Sequence, residues 1–123
     1  MAIPTREPFV VYLLARAATF RRQRDVTPES AAQLELHALA LERLAETARS
    51  LPEDDERLLM LGTLTVRKSQ FTPGAGTEHA LTQFAATSGE ECDAFLTNLV
   101  RIARDDALAR ARAQGHLPPE RPR

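Results

Sequence analysis

The chain predicts an all-α fold, a compact bundle of about five helices, on three observations. Gly is absent from the first 61 residues, prolines fall between apolar periodic segments rather than inside them, and no period-two alternation of useful length competes. The expected helices cover about 8–24, 28–50, 53–66, 77–86 and 89–114, with one long loop at 67–76. Residues 1–115 then make a single helical domain, and 116–123, with three prolines in eight residues, a mobile tail.

The first segment opens with Pro8 at a first-turn position and carries Phe9, Val10, Tyr12, Leu13, Leu14, Ala17 and Phe20 around most of its circumference. Such a helix is central in a bundle or is covered by a partner. Thr27 is the expected N-cap of the second, ahead of Pro28 and Glu29. Ala31, Leu34, Ala38, Leu41, Ala45 and Ala48 recur in steps of three and four, while Leu36, Leu39 and Ala40 mark a second apolar strip. The small Ala rungs admit a close neighbour.

Leu51-Pro52 ends that helix, and the acidic run Glu53 to Glu56 suits the positive end of a third, with body Leu58 to Val66. Periodicity disappears from Arg67 to Gly76, which holds Phe71, Pro73, Gly74 and Gly76. Leu64-Thr65-Val66 is too short to anchor a sheet, so none is expected. Thr77 is the expected cap of a fourth helix. Ser88-Gly89-Glu90-Glu91 has the spacing of a capping box for a fifth, which carries Phe95, Leu96, Leu99, Val100, Ile102, Ala103, Ala107 and Leu108 and stops at Gly115.

Composition narrows the function classes. The chain has 123 residues, 43% hydrophobic and 27% charged, which suits an ordinary globular domain rather than a disordered or collagen-like one. Its one Cys cannot form an intrachain bridge. The longest apolar run, Phe9 to Ala15, covers seven residues, whereas a bilayer span needs ~20. Pro4, Glu7 and Pro8 precede that run and arginines follow it, unlike a secretory signal. The expectation is a cytoplasmic protein with no membrane partner.

Charge is segregated although the total is -1: residues 1–25 sum to +3, 26–61 to -5, 62–100 to -2 and 101–123 to +3. A nucleic-acid patch would combine Arg16, Arg21, Arg22 and Arg24 with Arg101, Arg104, Arg110 and Arg112, if folding brought both groups to one face. The structural alternative is that these guanidinium groups pair with acidic helices of the same chain. A helix-turn-helix at Thr87-Ser88-Gly89 is disfavoured, because Glu90, Glu91 and Asp93 would meet phosphate.

Arg67, Lys68, Gly74, Gly76 and Thr77 make a candidate anion loop, in which backbone amides at a helix start would hold the ligand. The Gly-Lys-Ser/Thr ending of a Walker loop and the G-x-G-x-x-G of a dinucleotide fold are both missing. The alternative is a connection pinned into the core by Phe71. No Glu has a His three positions later, and His37, His79, His116 and Cys92 lack metal-ligand spacing, so no metal or other cofactor is expected. Three carboxylates oppose thiolate formation at Cys92. Of the pair Asp105-Asp106, Asp106 lies on the Phe95, Leu99, Ile102 stripe, and an ion pair with Arg16 or Arg21 is the structural expectation.

The leading expectation is a non-enzymatic helical interaction or regulatory module, a homo-oligomer or the partner of another helical protein. Its contact surface would use Phe9, Val10, Leu13, Leu36 and Leu39. Nucleic-acid binding through the basic ends is the alternative, and an anionic metabolite at the 67–77 loop the third.

Overall fold

A computed structural model describes residues 6–87 and 91–115. Five helices form the expected bundle: α1 Arg6–Val26, α2 Ala31–Ser50, α3 Glu56–Thr65, α4 Ala75–Ala86 and α5 Cys92–Ala113. Among the described residues, no helix is long and apolar enough to cross a membrane. The expected tail at 116–123 lies outside the described residues, as do Ser88, Gly89 and Glu90 of the capping box.

The largest packing surface joins α1 to α2. Phe9, Val10, Leu13 and Ala17 of α1 are fully buried, as are Ala38, Ala40, Leu41, Leu44, Ala45 and Ala48 of α2. The alanines let the two backbones approach, and each large apolar side chain shielded there is worth about 1.5 to 3 kcal/mol. Leu58 and Leu61 of α3, Leu81 and Phe84 of α4, and Leu96 and Leu99 of α5 complete one continuous core. α5 packs mainly on α3 and α4, and Phe84 stacks on Phe95 with ring centroids 4.3 Å apart.

Helix starts depart from expectation in informative ways. Thr27 makes no side-chain capping bond, and Pro28–Ser30 form a single 3-10 turn before α2 begins at Ala31. Asp55, inside the acidic run, caps α3 by accepting from the amide of Arg57 at 2.9 Å. α5 begins at Cys92, later than expected, with Glu91 as an N-cap that makes no side-chain bond. Thr77 is not the cap of α4, which starts at Ala75 after Gly74.

The expectation of no sheet is corrected by a small ribbon. β1 (Val66–Arg67) pairs antiparallel with β2 (Gln70–Phe71), Val66 opposite Phe71 and Arg67 opposite Gln70. Lys68 and Ser69 form the turn with φ of 50° and 64°, the left-handed backbone that a two-residue hairpin turn needs. Neither is Gly, so the turn carries strain of order 1 kcal/mol per residue. Burial of Phe71 holds it in place: the side chain is 7% exposed, and its ring lies 5.1 Å from Phe9 and 5.0 Å from Tyr12. Thr72 adds two bonds to the carbonyl of Thr65, through its amide and its hydroxyl, both 2.6 Å.

Candidate functional site

Of the five residues expected at an interface, the structure separates two from three. Phe9, Val10 and Leu13 are core residues, facing α2 and the hairpin rather than solvent. They are thereby removed from the candidate contact surface, because a completed intramolecular core already covers them. Leu36 and Leu39 stay 49% and 42% exposed on the outer face of α2. The periodicity of α1 did not show which of its apolar residues would be left over. Val11 and Val26 are left exposed, and Val11, 55% exposed, lines with Pro8, Tyr12, Ala15 and Phe71 a groove of about 540 Å³ between α1 and the hairpin.

The arginines at the end of α1 expected in a basic patch are engaged within the chain. Arg21 donates to Glu35 and to Glu42, and Arg24 to Glu35 and to Asp25, tying the end of α1 to α2. These bonds hold both guanidinium groups above their ordinary pKa and hold the Glu35 carboxyl below its own. Arg16 pairs with Glu78 at 3.3 Å and lies over the Phe20 ring, while Arg22 bonds Thr19. Arg101 pairs with Asp105 on its own helix. Arg104, Arg110 and Arg112 make no ion pair among the described residues. α5 packs mainly on α3 and α4, whereas the arginines at the end of α1 are tied to α2 and α4.

The anion-loop expectation is corrected by a residue of the chain itself. Asp106 of α5 accepts hydrogen bonds from the amide of Gly76 at 3.1 Å, and from the amide and hydroxyl of Thr77 at 2.7 Å each. These amides are the second and third of α4, the donors that an N-cap side chain ordinarily serves. Gly74, which stands at the cap, has no side chain to offer, and a carboxylate from another helix serves in its place. The two glycines also make the approach possible: a Cβ at Gly74 or Gly76 would lie 2.7 Å from atoms of Asp106. An outside anion at this helix start would displace that carboxylate. Arg67 and Lys68 lie apart on the hairpin and take no part in the contact.

Asp106 therefore has α4 amides as its partners, not Arg16 or Arg21. The sequence signal existed, since an Asp on an apolar stripe needs a buried donor and Gly-x-Gly-Thr at a helix start provides three. Nothing in the spacing connected them. Tyr12 was likewise missed: its hydroxyl donates to Glu78 at 3.1 Å, and burial first, then the neighbouring carboxylate, pushes its pKa up to about 12. Cys92 is half-buried against the core at the first position of α5. His79 is exposed, and His37 packs edge-on against Phe20 with its Nε2 buried and without a hydrogen-bond partner.

Among the described residues, no group of three or more His, Cys, Asp or Glu side chains is placed to hold a metal ion. Comparisons with protein-family models, curated proteins and solved structures find no match for the chain.

Proposed function

We propose that this protein is a non-enzymatic helical interaction module that self-associates through the outer face of α2. The observation that carries this reading is the exposure of Leu36 and Leu39 on a helix whose opposite face is already saturated by α1. Two leucines three positions apart form one strip along a helix, and covering the exposed half of each would contribute about 1 kcal/mol. A strip of this kind can meet its own copy across a two-fold axis, so that each leucine is covered by the same surface of the other chain.

The locked end of the α1–α2 pair supports the reading. With Arg21 and Arg24 bonded to Glu35 and Glu42, the face is held rigid before any contact is made, which lowers the ordering cost of association. Sedimentation of the wild type should show a concentration-dependent dimer. Leu36→Asp should return it to a monomer of largely unchanged helicity, since the position lies outside the buried core cluster. A monomer at all concentrations, before and after the substitution, would refute self-association.

A further inference from the structure

We propose a phosphate-binding site in the groove between β1 and the last turns of α5, gripped by Arg67 and Arg110. The groove has a volume of about 240 Å³ and includes both arginines, with Gln114 as a further donor and Val66 and Ala111 among its apolar lining. Its lining contains no carboxylate.

Neither arginine makes an ion pair among the described residues, although most of the arginines elsewhere do. The reason lies one turn away. Asp106 precedes Arg110 by four positions, the spacing at which a helix normally pairs acid with base. Its carboxylate is instead committed to Gly76 and Thr77 of α4, and Asp105 is paired with Arg101. Arg110 is thus left with a full charge facing the groove, and Arg67 arrives from the hairpin as its counterpart.

The two helix ends that converge here would by themselves disfavour an anion. Their carbonyls are partly occupied already: Thr65 accepts twice from Thr72, and Arg110 and Arg112 accept from Gln114 and Gly115. Arg104, on the same face as Ala107 and Ala111, extends the positive surface along α5. Guanidinium forks match phosphate oxygens in pairs, which a single ammonium does not. The site is independent of the α2 face.

The test is an amide-shift titration of isotope-labelled wild-type protein at low salt, with pyrophosphate in one arm and a short single-stranded oligonucleotide in the other. Saturable shifts confined to 63–67 and 107–114 are expected. Arg67→Gln and Arg110→Gln should each weaken binding by roughly tenfold or more, while Arg101→Gln stays within about twofold. Binding of pyrophosphate assigns the site to small phosphorylated molecules, and binding of the oligonucleotide alone assigns it to a nucleic-acid backbone. No binding of either probe, or shifts centred elsewhere, overturns the proposal. Binding unchanged by Arg67→Gln, a substitution at an exposed position of β1, overturns it as well.

Discussion

The carboxylate of Asp106 lies 2.7 Å from both the amide and the hydroxyl of Thr77, so that α5 supplies the N-terminal cap that α4 lacks. Thr77 is fully buried, and its donors have no water to fall back on. Asp106→Ala should lower the unfolding free energy by roughly 2 to 3 kcal/mol, and Asp106→Asn by less, because one acceptor oxygen survives. Gly76→Ala should approach the Asp106→Ala value by pushing the carboxylate aside. Denaturant titration measures all three, and an Asp106→Ala loss under about 0.5 kcal/mol would refute the role.

Tyr12 is the one Tyr in a chain without Trp, so tyrosinate absorbance reports on it alone. Its pKa rises from 10.0 to about 12, first by burial and then by Glu78, which means that the fold favours the neutral phenol. The stability this contributes is present below pH 10 and is lost as pH climbs towards 12. A spectrophotometric titration of the folded protein should give a midpoint near 12, and Glu78→Gln should bring it down. A wild-type midpoint at the ordinary value would contradict the Tyr12 environment described above.

On the acid side, Glu35 and Asp55 act in the opposite sense. Hydrogen bonds from Arg21 and then Arg24 hold Glu35 below its ordinary value of 4.5, and Arg57 holds Asp55 below 3.8. Both carboxylates stabilise the fold above those values, and the contribution disappears as pH falls through their lowered pKa values. The melting temperature should decline on acidification below about pH 4.5, and the decline should be shallower in Glu35→Gln. Equal slopes for the two proteins would show that the Arg21–Glu35 contact is not formed in solution.

His37→Phe should stabilise the protein. The substitution keeps an aromatic edge on Phe20 and removes a nitrogen that is buried without a partner. Deleting such an orphan is worth about 1 kcal/mol, seen as a rise of a few degrees in the melting temperature. A lower melting temperature would mean that Nε2 has a partner in solution.

Helices were legible because Pro8, Pro28 and Pro52 punctuate the apolar periods and the Ala ladder of α2 announces a close neighbour. The hairpin was not, because two residues per strand carry no period and its turn uses Lys68 and Ser69 rather than Gly. The Arg21 and Arg24 contacts depend on how α1 crosses α2, which periodicity does not encode. The pairing of Asp106 with Thr77 joins positions on separate helices, and each looked self-sufficient: one as an ion-pair candidate, the other as a cap. Val10 and Val11 are chemically identical neighbours, one buried and one exposed, and the choice between them belongs to the packing angle.

Because the cap for α4 is donated by the last helix, the order of synthesis matters. A chain leaving the ribosome can close α1 on α2 early, but Asp106 emerges some thirty positions after the amides it must serve. Until then the α4 start is unlatched, and the surface that Leu96, Leu99 and Ala103 will cover is bare. Premature stop codons upstream of Asp106 would therefore yield sticky, protease-sensitive fragments rather than shortened working copies.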